Sequence, residues 1–232
     1  MANSITLGTL VTRCKQRGNA VGSDQIETAE WKELISEVYG ELHGIVSETG
    51  ARYFETEATV NLGSLALPSD HLSTVGVDFV IDAAGRRREL AQLMVQERTL
   101  FAGVTCQAYL FALVGGNLAL YPTPSTGTYK HIYVPQPTDY STAADATSVD
   151  TITTHGARFI IWGAAAIALH RSESAQQRAL EERAAALEKV MDWAISRAIT
   201  MPKRRIVTET DFGDLGYTGL NGAWNPASWL YR

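Results

Sequence analysis

Apolar side chains recur at every third or fourth position early in the chain, then at every second, then at every third or fourth again. The first run, SITLGTLVTRCKQRG, places Leu7, Leu10, Val11 and Cys14 at i, i+3, i+4 and i+7, with Gly18 where a helix C-cap is expected. A second helix is predicted to open at Asp24 and Glu27, which have capping-box spacing, and to end at Gly50. Its apolar face is Ile26, Ala29, Leu34, Val38, Leu42 and Ile45.

From Arg52 the period falls towards two. RYFETEATVNL alternates, LALPSD ends a strand in a proline turn, and STVGVDFVIDAAGRRREL reads as a strand, a turn at Ala84-Gly85 and a return. Residues 89–101 revert to helical spacing through Leu90, Leu93, Met94 and Phe101. QAYLFALVGGNLALYP is a hairpin signal, because Gly115, Gly116 and Asn117 accept positive φ cheaply between two apolar runs. TYKHIYVPQP adds a strand closed by two prolines. A small sheet crossed by one short helix is the expectation for residues 51–137.

TDYSTAADATSVD reads as a polar connector, and Asp150 as the N-cap of a helix through Phe159, Ile160, Trp162, Ala166 and Leu169. RSES interrupts that helix, with Ser174 and Gln177 in capping-box spacing. The last helix has the clearest pattern: Leu180, Ala184, Leu187, Met191, Ala194, Ile195 and Ala198 as the core stripe, and Glu181, Glu182, Arg183, Glu188 and Lys189 as the wet face. Pro202 ends it. The predicted class is α+β. Residues 1–50 and 139–201 supply a helical bundle from the two ends of the chain, residues 51–138 an inserted small antiparallel β domain, and residues 202–232 an extended C-terminal arm.

Composition narrows what such a fold does. A chain of 232 residues, 45% hydrophobic and 19% charged, has enough material for a sizeable core. Its net charge of -5 gives no global attraction to nucleic acid or to an anionic membrane. The most apolar run, Phe159 to Leu169, has about half the length that a bilayer requires. MANSITLGTL lacks the layout of a secretory signal, so synthesis in the cytoplasm is expected. Cys14 and Cys106 have no metal-ligand spacing and read as two small apolar side chains.

Motifs of catalysis are missing: there is no G-x-S-x-G, P-loop, H-E-x-x-H or paired C-x-x-C, and no cofactor is implied. The five histidines, His43, His71, His131, His155 and His170, share no ligand spacing. In SDHLSTVGVD, Asp70, His71 and Asp78 are of the right kind for acid and base work; the other reading is a turn after Pro68 with an exposed histidine. Two basic clusters, Arg86 to Arg88 and Lys203 to Arg205, read either as solvated turns or as contacts to phosphate or an acidic partner.

The end of the chain, DFGDLGYTGLNGAWNPASWLYR, fits neither helix nor strand, with glycine at 213, 216, 219 and 222 and the aromatics Phe212, Tyr217, Trp224, Trp229 and Tyr231 between them. The burial these rings offer is of the same order as the entropy of ordering the segment, so it is not expected to fold by itself. It is also too aromatic for a solvated linker. A surface on another subunit is the expected partner, with Trp224 and Trp229 as anchors; packing back along its own domain and a disordered end are the alternatives.

The order of these features resembles the head-to-tail adaptor (connector) proteins of tailed bacteriophages over most of the chain. The resemblance lies in the two N-terminal helices, LALPSDHLSTVGVDF, GGNLALYPTPSTGTYKHIYVPQP, FIIWGAAAIALHRSES and the helix ending near AISRAITMPKRR. Tyr121-Pro122-Thr123-Pro124, followed by a strand with Tyr133 and Pro135, is its most telling piece. The resemblance implies a structural virion protein without catalysis, made in the host cytoplasm and found in the neck between capsid portal and tail. It implies a ring, commonly of twelve copies, that binds the portal protein above and a tail or neck protein below and touches the passing genomic DNA only transiently and without sequence specificity. It implies no membrane contact. The segment from Lys203, Arg204 and Arg205 through Phe212, Tyr217, Trp224, Trp229 and Tyr231 takes the position of the family's portal-binding extension. A tail-completion or stopper protein of the neck is the alternative in the same class. An enzyme or regulatory binding module using the Asp70-His71 region is the alternative from another.

Overall fold

The computed structural model describes residues 4–18, 26–82, 84–93, 101, 103–171 and 176–200. The fold is α+β, and the chain divides into two compact units. Met1–Phe54 with Gln136–Pro202 make the first, and Glu55–Pro135 lie in the second.

In the first unit a short strand β1 (Ser4–Thr6) leads into helix α1 (Leu7–Arg17). All four apolar positions read from the sequence, Leu7, Leu10, Val11 and Cys14, are buried. Gly18 is the C-cap with φ -81°, outside the left-handed region. Glycine serves here because a Cβ would lie 2.9 Å from the Trp31 ring. Burial pushes the Cys14 thiol up to about 12, which keeps it protonated and unreactive.

Helix α2 runs from Thr28 to Glu48, and its N-cap is Glu27, whose side chain makes no capping hydrogen bond. The Glu27 half of the predicted box thus gives no side-chain cap, and Asp24 lies outside the described residues. Leu34, Val38 and Leu42 are buried as expected, but Trp31, Ile35, Tyr39 and Val46 complete the face, while Ala29 is exposed. The connector also differs from expectation. Tyr140 is buried edge-on against Tyr39 with ring centroids 5.1 Å apart, Lys32 binds the Ala143 carbonyl and Asp145 at 2.8 Å each, and strand β9 (Ser148–Asp150) pairs antiparallel with β1.

Helix α3 (Thr154–Arg171) starts later than Asp150. The cap is Thr153, whose Oγ1 accepts the Gly156 N–H, while Asp150 accepts the Ile152 N–H and the Tyr53 hydroxyl proton. The Ser174 box lies outside the described residues. Helix α4 runs from Gln177 to Thr200. Helix α3 is apolar on nearly every side, as a central helix must be. It packs against α2, α1 and α4 around a core that includes Leu10, Trp31, Val38, Leu42, Phe159, Ile160 and Val190.

The second unit holds two sheets where one was expected, and one strand pair is parallel where only antiparallel pairing was expected. Strands β2 (Thr56–Thr59), β8 (Thr128–Pro135), β3 (His71–Val80) and β4 (Arg87–Glu89) lie side by side in that order, all antiparallel. Strands β5 (Ala91–Gln92), β6 (Leu110–Val114) and β7 (Asn117–Tyr121) form the other sheet, with β5 parallel to β6. The predicted hairpin turn is present, Gly115 and Gly116 taking φ of +55° and +81°.

Residues 89–93 are extended and not helical: Leu90 donates to Val77 O in the first sheet, and Leu93 donates to Phe111 O in the second. The chain steps from one sheet to the other at Leu90, and that step breaks the alternation which would otherwise have marked a strand. The remainder of the predicted short helix, apart from Phe101, lies outside the described residues. Val77, Leu90, Phe111, Leu118, Leu120 and Tyr129 form this unit's own core.

The contact between α2 and α3 yields a test. A Cβ on Gly163 would lie 2.6 Å from Val38 Cγ1 and 3.1 Å from its Cγ2, and Val38 is fully buried. Gly163→Ala is expected to destabilise the helical unit by about 1–3 kcal/mol through overpacking. Val38→Ala in the same chain should recover part of the loss, a coupling that calorimetric melting of the two single variants and the double variant measures.

Candidate interaction surfaces

Helix α4 carries two adjacent apolar stripes, and only one of them is buried. Ala179, Ala186, Val190 and Ala194 are buried, their small side chains allowing close packing onto α3 and α2. Arg183, predicted on the wet face, lies over the Phe159 ring at 5.0 Å and is ion-paired with Glu41. The other stripe holds Leu180, Ala184, Met191 and Ile195, which the sequence assigned to the core, and Ile199, which it did not. Leu180 is 40% exposed, Met191 39%, Ile195 47% and Ile199 77%. Ala184 on the same face is exposed, Leu187 is half-buried at the edge of the core, and Ala194 alone of the predicted stripe is fully inside.

Periodicity located an apolar face correctly but not its partner. The missed signal is the arc of small residues at 179, 186 and 194 beside it, which fits close packing onto another helix and leaves the larger Leu, Met and Ile outside. The outer stripe runs about 28 Å at 1.5 Å per residue. Exposed Glu181, Glu188, Lys189 and Asp192 accompany it.

The acid-base candidates of SDHLSTVGVD come together only in part. His71 Nε2 and His131 Nε2 both hydrogen-bond the Thr74 Oγ1, at 2.9 and 3.0 Å. Tyr133 stacks on His131 and donates its hydroxyl proton to Asp70 at 3.1 Å. Asp78 is not a member of the group; it is buried on β3, with Arg87 Nη1 at 4.0 Å from its carboxylate. Thr74 has one proton to give, so one imidazole accepts it and the other donates to the oxygen. His131 is 2% exposed, and burial first, then the neighbouring His71, pushes it down to about 4. A neutral buried imidazole held this way joins β3 to β8 and is poorly tuned for proton transfer near neutrality.

The first basic cluster is engaged within the chain. Arg86 bonds Asp82 at 2.5 Å, Arg87 bonds Glu57 at 2.5 Å, and Arg88 lies over Phe79 at 5.8 Å and donates to Ala108 O at 3.4 Å. These contacts favour the solvated-turn reading over a phosphate site. The second cluster, Lys203, Arg204 and Arg205, and the aromatics Phe212, Tyr217, Trp224, Trp229 and Tyr231 lie outside the described residues.

Among the described residues no three His, Cys, Asp or Glu side chains form a group that could hold a metal, and no helix is long and apolar enough to cross a membrane. Among the described residues α4 carries Leu180, Met191, Ile195 and Ile199 exposed on one helix, and exposed apolar faces of this kind commonly mark contacts with other macromolecules. The chain belongs to the SU10 adaptor protein family, a phage head-to-tail adaptor family, whose profile matches residues 5–206. That family is one of virion structural proteins and not of enzymes, which supports a virion role in the neck and association with other virion components such as portal and tail. A search of curated proteins returns no match.

The histidine pair generates a prediction. His131 is depressed in the folded chain below its unfolded value of about 6.5. As pH falls the unfolded chain takes up the proton first, so stability is full above about 6.5 and declines as pH falls towards 4. Buried His43, also depressed, contributes in the same direction from the helical unit. His131→Gln should therefore flatten only part of the slope. The protection factors of β8 amides, after division by the unfolded-chain exchange rate at each pH, should fall less between pH 7 and pH 4.5 in that variant than in the parent, while those of α2 fall equally in both.

Proposed function

We propose that this protein is an adaptor ring of the virion neck, joining the portal to the tail and forming part of the channel through which the genome passes. The observation that carries this reading is the adaptor-family match over residues 5–206, which spans both structural units. Twelve copies form the ring on the family pattern. Helical units meet side by side, and the β unit is directed to the tail or neck protein below. The uncovered stripe on α4 supports an assembled state, since an apolar face of that length is costly to leave in water.

The arm gives the portal contact. Lys203, Arg204 and Arg205 begin it, and Phe212, Tyr217, Trp224, Trp229 and Tyr231 supply the rings that fill pockets on the portal. Each arm by itself is weak, because ordering it consumes most of what its aromatic burial provides. Copies tethered in one ring act on one portal at high effective concentration and together hold it. Contact with DNA is transient: a chain of net charge -5 whose hairpin arginines are paired internally offers the phosphate backbone little to grip.

The reading is tested by removing residues 211–232. The shortened chain should keep the circular dichroism and melting temperature of the parent yet fail to attach to the portal protein encoded in the same genome, scored by negative-stain imaging and mass photometry. A large fall in melting temperature would instead show the arm packing on its own domain, and full portal attachment without the arm would refute its assignment.

A further inference from the structure

We propose that the outer stripe of α4, Leu180, Ala184, Met191, Ile195 and Ile199, seats on a second copy of this chain, against the α1 flank of that copy's helical unit. The inference rests on the ring reading and deepens it by naming the two surfaces that meet.

Position is the first argument. Helices α2 and α3 pack directly on each other, α1 packs on both, and α4 packs on α3 and touches α2. Among the described residues α1 and α4 do not pack on each other to this extent, and each covers part of the α2–α3 pair. A contact from the α4 flank of one copy to the α1 flank of the next is heterologous, the type of contact that generates a ring where its rotation closes and an open filament where it does not. A contact of α4 with α4 would be isologous and would stop at two copies.

Charge is the second argument. The stripe is accompanied by exposed Glu181, Glu188 and Asp192 and by one cation, Lys189, which pairs with Asp192 at 3.8 Å, so the flank is acidic on balance. The exposed face of α1 carries Thr9, Thr12, Arg13, Gln16 and Arg17, with Arg17 also lying over the Trp162 ring at 5.1 Å. Acidic residues beside an apolar stripe meet basic ones in the head-to-tail pairing, whereas α4 paired with α4 about a two-fold axis brings Glu188 and Asp192 close to their own copies. Like charges set against each other oppose that arrangement.

Size is the third. The exposed apolar side chains of the stripe present on the order of 400 Å², about half of one side of a standard interface. That is little for a free-standing dimer. It is sufficient where each copy is held on both flanks and closure makes the last contact intramolecular.

The test uses the full-length chain. Ile195→Lys, at a position already 47% exposed, should leave circular dichroism and melting temperature unchanged and raise the concentration for half-assembly roughly a hundredfold, while Ile195→Leu assembles like the parent. In a Cys106→Ser background, Arg13→Cys combined with Glu188→Cys should give a ladder of multimers with a short bis-maleimide, and neither substitution alone should. If the parent forms rings and Ile195→Lys forms them equally well, the surface is wrong and the ring reading stands. If the parent remains monomeric even with its portal, both fall. A covalent dimer from Glu188→Cys alone, without a ladder from the pair, would assign the stripe to two-fold pairing. Slow thiol labelling of Ile195→Cys in the dilute monomer, made fast by removing residues 211–232, would assign the stripe to the chain's own arm. Either result overturns the proposal.

Discussion

A helix that is apolar on nearly every side must be enclosed, and the first unit of this protein is arranged around that requirement of α3. Gly163 lets α3 approach the Val38 side chain of α2 more closely than any side chain at that position would permit. Helix α1 and the Ala-lined stripe of α4 complete the enclosure. Once α4 has committed its small residues to this contact, its larger residues have nowhere to go but outward. The uncovered surface is thus a by-product of how the core is closed, on a helix held to the unit by Ala179 packed with Ala166 and Leu169 and by Arg197 donating to the Ala51 carbonyl.

Much of the fold was legible because short-range chemistry fixes it. Leu7, Leu10, Val11 and Cys14 lie where their spacing puts them, and the Gly115-Gly116 hairpin forms because only positive φ makes so tight a turn. Errors fell where a partner distant in sequence decides. Leu90 and Leu93 read as a helical pair because the strand containing them crosses between two sheets. Asp150 looked like a cap, but Tyr53, nearly a hundred residues earlier, claims its carboxylate together with the Ile152 N–H, and Thr153 takes the helix end. The polar connector proved to be a structured strap because Lys32, Tyr39 and β1 bind it from the other end of the chain.

The candidate surfaces divide along the same line. Periodicity sees that a face is apolar but not whether it is satisfied within the chain, so the α4 stripe was read as core. Charge clustering sees three arginines at 86–88 but not Asp82 and Glu57, which neutralise two of them across a turn and across a sheet. The Asp70-His71 segment contains groups capable of proton transfer, yet His131 arrives from β8 and turns the site into a hydrogen-bonded cross-strand tie. Function here follows from what remains unsatisfied after folding, and that residue is visible only when the intramolecular partners are known.

The pairing of β1 with β9 joins Ser4–Thr6 to Ser148–Asp150, spanning more than half of the chain. During synthesis the consequence is one of order in time. Strands β2 to β8 leave the ribosome as a contiguous stretch and can pair among themselves, whereas α1 and α2 have emerged earlier and must hold Leu10, Trp31 and Leu42 in a half-built core until α3 follows. Helix α4 is made last, so its outer apolar face is complete only when α1, α2 and α3 are already present to close the centre of the unit.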